Sequence, residues 1–456
     1  MNKSRVNRTS SARALAFAIL LQFEQTRPRL DDLLEEVWRK ADLSEQDRRL
    51  LRNLSSGPIR HLLYLDWIMA RLYKGRFKKL LVKTKIILRL ALYELIFMPG
   101  IPPRATLFEY GELSKRLVGG RAQPLVNGIL RQFLRSKEAL QPQDLIKNDE
   151  ERISISYSFP LWLVKRWVKF WGVESTEALC RSLNEPPLFD LRIIRSRING
   201  KRFKELLEEN NISFRPSPYF EDVVTVNDIQ AIRRAGLFEK GYCLVQDESA
   251  HIPVDILSVG KEDLVLDVCA APGGKFTQIL EQGKSALSIA LDIDLRRLQK
   301  VKQNVRRLKL QKAAFVCADA RYLPFREKVF DKILLDAPCS GLGTIRKHPD
   351  IKWRRDLAQL VEFSKLQQDL LTQAFRLLKE KGFLAYSTCT MDYLENENVT
   401  ENFRRRFGEK VEAVPIQQKA AFNVSGNRLR TFPHLHHTDG SFVELFQKKI
   451  AGLDKR

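Results

Sequence analysis

Two cysteines stand where apolar, strand-like stretches end. In 333-ILLDAPCSGLG-343, Cys339 lies three residues past Asp336, with a proline between them that stiffens the turn. In 386-YSTCT-390, Cys389 repeats the placement fifty residues later. A thiolate set beside a carboxylate can act as a nucleophile in covalent catalysis. Three other readings stand beside a working pair: core filler, metal ligation and a disulfide. Six widely spaced cysteines without a CxxC point to a reducing cytosol and against a disulfide. A metal site needs further Cys or His nearby, and the histidines fall mostly at 434–437, outside ligand spacing, so no metal is expected. Core filler is the serious alternative, because free cysteine behaves as a small hydrophobe, but it explains one thiol better than two.

A third stretch, 264-LVLDVCAAPGGKFTQIL-280, reads as a buried strand, a turn of small residues over Cys269, Ala270, Ala271, Pro272, Gly273 and Gly274, and a helix from Lys275. Small residues let backbone approach a ligand, and a helix start offers free N–H groups. The turn is neither GxGxxG nor a phosphate loop with its Lys-Ser/Thr pair. Asp292 closes the next strand-like stretch, where a ribose hydroxyl needs a carboxylate, with Asp294 as the competing choice. Asp319, in 318-ADA-320, closes the third and can accept from a base amino group. One acceptor per strand end suits an adenosyl ligand.

These residues need strands to deliver them. From about 246 the pattern alternates strand and helix, with helices over 294–309 and 354–379, which predicts a parallel sheet covered on both faces. Residues 246–450 are therefore expected to form an α/β, Rossmann-like domain. Residues 141–245 mix helices (160–183, 201–209) with short strands (189–195, 223–226) and predict a small α+β connector. Residues 1–140 show helical spacing over 12–24, 46–72, 83–97 and 106–117, and predict an all-α domain.

The chain is 456 residues long, so several domains are expected. Its formal charge of +23 calls for a polyanionic partner, held through phosphates. Residues 1–140 carry 27 Lys/Arg against 13 Asp/Glu. Lys74, Arg76, Lys78, Lys79, Lys83 and Lys85 follow one another without an acid, and an RNA-phosphate face is expected there. Arg346, Lys347, His348 and Lys352, after the Cys339 loop, are read as phosphate or substrate-loop contacts. No run of 18 apolar residues predicts a membrane span. MNKSRVNRTS before ALAFAILLQF mimics a signal peptide, but no small-x-small cleavage pattern follows, and an ordinary first helix is expected.

CAAPGGK, DAPCSG with RKHPDIKW, and STCT together resemble the RNA cytosine-5 methyltransferases, and among them the small-subunit rRNA methyltransferase B family (RsmB, also called Fmu or Sun). The resemblance spans nearly the whole chain, and IPPRATLFEYGELSK and LVNGILRQFLR resemble the NusB RNA-binding fold. It implies S-adenosyl-L-methionine as methyl donor, held by Cys269 through Lys275, Asp292, Asp319 and Asp336. It implies Cys389 as the nucleophile that adds to C6 of cytosine, and Cys339 as the thiol assisting product release. Asp336 is implied to bond the N3/N4 edge of the base, and Lys275 to contact cofactor or base. The implied protein is cytoplasmic and monomeric and acts on 16S rRNA, without metal or membrane. A tRNA cytosine-5 methyltransferase is the alternative within the class. A non-catalytic RNA-binding or antitermination factor with a degenerate methyltransferase domain is the alternative outside it. Three departures bear on loop detail: Ala318 stands where the family often has Gly, Tyr393-Leu394-Glu395-Asn396 replaces Pro-Glu-Glu-Asn, and Asp439-Gly440-Ser441-Phe442 replaces Asp-Gly-Phe-Phe.

Overall fold

The computed structural model describes residues 11–283, 285–416 and 422–450. The basic stretch at 1–10 that mimics a signal peptide lies outside the described residues. The chain divides into two compact units: Met1–Glu185 with Ile345–Arg354, and Pro186–Thr344 with Arg355–Arg456. Among the described residues no helix is long and apolar enough to cross a membrane.

The first unit is helical. Ser11 caps the helix Ala12–Thr26 by accepting from the Ala14 amide. Its Leu15, Ile19 and Phe23 enter a core with Leu51, Leu54, Ile68, Ile87, Leu90, Val126 and Leu130. The helix expected over 46–72 is two, Glu45–Arg60 and Leu62–Leu72, because Gly57 and Pro58 weaken its middle. Gly57 is needed for packing: a Cβ there would sit 2.0 Å from the Tyr93 ring. Glu94 is fully buried and is matched by Arg13, Thr106 and Tyr110. The helix Leu161–Asn184 kinks at Gly172, whose φ is +79°. Lys74, Arg76, Lys78, Lys79 and Lys83 are exposed around the short turn Phe77–Lys79, and Lys85 lies over the Phe77 ring.

Residues 345–354 finish this unit, which overturns for Lys352 the expectation of a phosphate or substrate-loop contact. Lys352 is completely buried, and its ammonium donates to the carbonyls of Arg60 (2.7 Å) and Tyr157 (3.5 Å) and to Asn184 Oδ1 (3.3 Å). Trp353 donates to Ile59 O, Arg346 pairs with Glu185, and His348 lies 2.9 Å from Asp31. A run of charge in sequence reads as solvated surface, and only the fold reveals the carbonyls waiting for it. Burial, and then the nearby Arg60, pull the Lys352 pKa well below its ordinary value.

Between that lowered value and the unfolded one, about 10.4, the unfolded chain binds the extra proton, so stability rises with pH across that window. Lys352→Met is expected to destabilise the helical unit by about 2–4 kcal/mol, since it strands buried acceptors, and to flatten this slope. Urea unfolding followed from neutral pH to pH 10 checks both.

The second unit contains two sheets. β1 (Phe189–Ile193), β2 (Phe214–Pro216), β3 (Val223–Val226) and β4 (Cys243–Val245) form an antiparallel sheet in the order β2-β3-β1-β4. β2 and β4 are absent from the sequence reading because three residues are too few to show alternation. The large sheet comprises β5 (Leu264–Asp267), β6 (Leu287–Asp292), β7 (Ala313–Cys317), β8 (Phe330–Asp336), β9 (Leu378–Thr388), β10 (Val411–Ala413), β11 (Asn423–Ser425), β12 (Arg428–Thr431) and β13 (Ser441–Lys448). The order β11-β12-β13-β9-β8-β5-β6-β7, with β10 beside β13, corrects the all-parallel expectation. Strands β9, β8, β5, β6 and β7 are parallel neighbours, whereas β10 to β13 extend the sheet antiparallel. Helices Gly274–Glu281, Leu295–Arg307 and Leu357–Leu377 fall within one to three residues of their expected bounds.

Candidate active site

β5, β6, β8 and β9 point their carboxyl ends to one edge of the sheet, where Asp267, Asp292 and Asp336 close three of them and Cys389 follows the fourth. The parallel pairing of β8 with β9 carries the two thiol loops to the same place. The Sγ atoms of Cys339 and Cys389 lie 3.1 Å apart, and both are free thiols. Among the described residues no group of three or more His, Cys, Asp or Glu is placed to hold a metal ion.

Asp336 is held from two sides. Lys275 Nζ donates to its Oδ2 at 2.6 Å, and the Ser387 hydroxyl donates to its Oδ1 at 2.8 Å. Burial works against the Lys275 ammonium, but the charge and hydrogen bond of Asp336, with the charge of Cys389 beyond, outweigh it and raise its pKa. Lys275 therefore stays protonated at neutral pH. The Cys339 thiol is raised well above its ordinary range, first by its hydrogen bond with Cys389, then by burial and by the charges of Cys389, Glu395 and Asp336. Cys339 thus sits as a neutral thiol in the unmodified site.

The small-residue turn lies beside this pair. Gly273 has φ +103°, a conformation other residues avoid, and a Cβ on it would meet Val301 at 3.0 Å. The Ala271 amide donates to Asp292 Oδ2 and the Asp294 amide to Asp292 Oδ1, so Asp292 is braced at the mouth of the turn. Asp294 instead caps the helix Leu295–Arg307, accepting from the Arg296 and Arg297 amides. Cys269 is held as a thiol, its pKa raised by burial and then by Asp267, Asp292 and Asp336. Asp319 stands apart from the rest, its carboxylate spanned by Arg321 at 2.6–3.1 Å.

Three contributors escape a reading of the sequence. Asp267 is buried, and neither of its oxygens has a hydrogen bond of normal geometry among the described residues. Burial, then the charge of Asp336, push its pKa well above the carboxylate range. Its position at a strand end, like that of Asp292, is the available signal. Ser387 stands on β9 two residues before Cys389 and donates to Asp336. Arg297 donates to Ala271 O at 2.8 Å and fixes the back of the turn. Gly343 and Gly440 close the site's rim: a Cβ on Gly343 would lie 1.8 Å from Gly440 O, while Gly343 N donates to Cys389 O at 3.1 Å.

Such a site can add a thiol to an electrophilic carbon and protonate or orient the ring that carries it. Comparison with known proteins gives three family matches. The 16S rRNA methyltransferase RsmB/F model matches residues 254–447, the NusB family matches 10–135, and the ferredoxin-like domain of the RsmF/B-like methyltransferases matches 159–233. The ribosomal RNA small subunit methyltransferase B of Yersinia pestis (bv. Antiqua, strain Angola) is 33% identical over 97% of this chain and 99% of its own. The probable methyltransferase B of Bacillus subtilis (strain 168) is 31% identical over 96% and 99%. Among solved structures, PH0851 superposes with a TM-score of 0.78 at 27% identity, covering 96% of this chain and 98% of that one. NSun6 from Pyrococcus horikoshii superposes at 0.55 and 22%, covering 62% and 97%, and shares the fold.

Proposed function

Because the chain belongs to the RsmB/F family of 16S rRNA methyltransferases, we propose that it methylates C5 of a cytosine in 16S rRNA through a transient bond between Cys389 and C6. The observation that carries this reading is the meeting of two thiols 3.1 Å apart with the Lys275–Asp336 pair at one strand edge.

S-adenosyl-L-methionine, when bound, supplies an electrophilic methyl group. The residues fit it: the small-residue turn Cys269–Gly274 has Asp292 braced at its mouth, and the buried oxygens of Asp267, without a hydrogen bond of normal geometry among the described residues, can accept from donors. Lys275, Asp292 and Asp336 line the same edge, and Asp319 joins them once it shares or releases Arg321.

The rest is done by the chain's own side chains. Cytosine C5 is too weak a nucleophile by itself. Cys389, as thiolate, gives its electron pair to C6, and the pair of the C5=C6 bond moves onto the ring, leaving C5 nucleophilic. Asp336 and Lys275 hold the N3/N4 edge while that charge develops. C5 takes the methyl group, then loses its proton to a base, and the returning electron pair re-forms C5=C6 as the Cys389–C6 bond breaks. Cys339 assists this last step. A cytosine in paired RNA must be turned out of its stack to reach the thiols. The exposed strip from Lys74 to Lys83 supports RNA contact by the NusB-like segment, in a cytoplasmic monomer.

Labelled methyl groups from S-adenosyl-L-methionine are expected to enter unmodified 16S rRNA and to appear as 5-methylcytidine after nuclease digestion. Label found in tRNA alone, in another base, or in no RNA overturns the assignment.

A further inference from the structure

One buried carboxylate next to the thiols has no part in the chemistry above. Glu395 lies in the short turn Tyr393–Glu395 after Cys389, with no accessible surface. Its Oε2 accepts from the Ser340 amide at 2.7 Å and its Oε1 from the Ser340 hydroxyl. Gln367 Nε2 donates both to Glu395 Oε2, at 3.1 Å, and to Pro338 O, at 2.8 Å. Of the residues on either side of Cys339, Ser340 is thus tied to the carboxylate directly and Pro338 through Gln367. The tie reaches the other thiol as well, for the Ser340 hydroxyl lies 3.0 Å from the hydroxyl of Thr390, which follows Cys389. Tyr386, on β9, anchors the whole by donating to Glu395 O at 2.6 Å.

A carboxylate in a core normally finds a cation. Among the described residues Glu395 bonds only neutral donors, and a neutral Gln or Met of similar volume would fill the space without that desolvation. What the charge adds is three convergent acceptor bonds, two from Ser340 beside Cys339 and one from Gln367, whose amide also holds Pro338 O. Burial raises the Glu395 pKa, against the Ser340 and Gln367 hydrogen bonds that lower it, and its charge in turn favours the neutral thiol of Cys339.

We propose that Glu395 is a positioning residue, whose buried carboxylate brackets Cys339 from both sides and fixes it against Cys389 for release of the methylated product. The inference rests on the covalent cysteine reading above. Cys389 itself hangs from β9, so the bond to C6 forms without the bracket, whereas resolving it depends on where Cys339 stands. Displacement of a reacting group by an ångström costs on the order of 10²-fold in rate.

The test compares wild type with Glu395→Gln, Glu395→Asp and Ser340→Ala. Wild type is first trapped with a 5-fluorocytidine-substituted 16S rRNA fragment on a denaturing gel; absence of a Cys389-dependent adduct overturns the covalent reading and this one with it. Given that adduct, Glu395→Gln is expected to lower kcat about 10- to 100-fold, to leave KM for S-adenosyl-L-methionine and RNA within about twofold, and to accumulate adduct on ordinary RNA. Glu395→Asp, keeping the charge, is expected to recover part of the loss. Ser340→Ala, which removes the hydroxyl's contacts with Glu395 and Thr390 but leaves the carboxylate and the Ser340 amide bond in place, shifts adduct lifetime in the same direction by less. If kcat and adduct levels stay at wild-type values in both Glu395→Gln and Ser340→Ala, Glu395 does not position Cys339. If Glu395→Gln loses cofactor binding and melting temperature in step with kcat, with no adduct gained, its role is structural alone.

Discussion

Replacing Cys389 by alanine is expected to reduce methyl transfer on the order of 10⁴-fold or more, as removal of a covalent nucleophile does, and to leave no RNA bound to protein on a denaturing gel. Replacing Cys339 by alanine is expected to stop turnover with the opposite signature: RNA stays covalently attached. Distance does not choose between the two thiols, since 3.1 Å puts both within reach of one carbon. Their surroundings do. Cys339 is kept protonated by its hydrogen bond with Cys389, by burial and by the charges of Glu395 and Asp336, whereas Cys389 follows β9 two residues after the Ser387 that bonds Asp336. Only a thiolate adds to C6 at a useful rate. If the phenotypes come out exchanged, with Cys389→Ala trapping RNA, Cys339 is the attacker and the electrostatic assignment fails.

Asp336→Asn is expected to lower kcat by about 10²- to 10⁴-fold, the range for loss of a positioned acid–base group, while the protein stays folded and still binds S-adenosyl-L-methionine. The substitution removes the charge that Lys275 bonds at 2.6 Å and replaces an acceptor that Ser387 needs. Lys275 then keeps burial, which lowers its pKa, and loses its largest opposing influence. Its proton is held less tightly, so the residual activity of the variant should fall at lower pH than that of wild type on the alkaline side. A kcat within about threefold of wild type, or an unmoved alkaline limb, removes Asp336 from the chemistry. Measuring kcat under saturating cofactor between pH 6 and 10 decides the matter.

The strand ends are legible in the sequence because chemistry and periodicity coincide there. A buried strand that stops at Asp292 or Asp336 shows both its hydrophobic run and its acceptor, and the Pro-Cys and Thr-Cys turns mark the two thiols. Asp294 and Asp292 cannot be separated by spacing, since two residues apart both fit; in the fold Asp294 caps a helix while Asp292 braces the small-residue turn. Asp267 escapes notice although it ends a strand too, because what marks it is that its buried oxygens have no hydrogen bond of normal geometry among the described residues, and sequence does not display that. The strands β10, β11 and β12 stay hidden because three or four residues are too few to show alternation. The largest departure concerns Lys352: a basic residue in a basic run has the same one-letter pattern whether it faces solvent or three oxygens in a core.

That lysine ties the order of synthesis to the order of folding. All of the helical unit's other residues have been made once Glu185 is added, but Ile345–Arg354 follows roughly 160 residues later. At about 5–20 residues per second the ribosome takes about 10–30 s to reach it. Through that interval the nascent helical unit keeps the Arg60 carbonyl and the Asn184 amide oxygen open to water. Its last contacts close only after the Cys339 loop, the segment's immediate neighbour in the chain, has itself been translated. A gene fragment cut at the helical boundary encodes a unit without its final piece, so this module does not transfer to another protein by simple exchange.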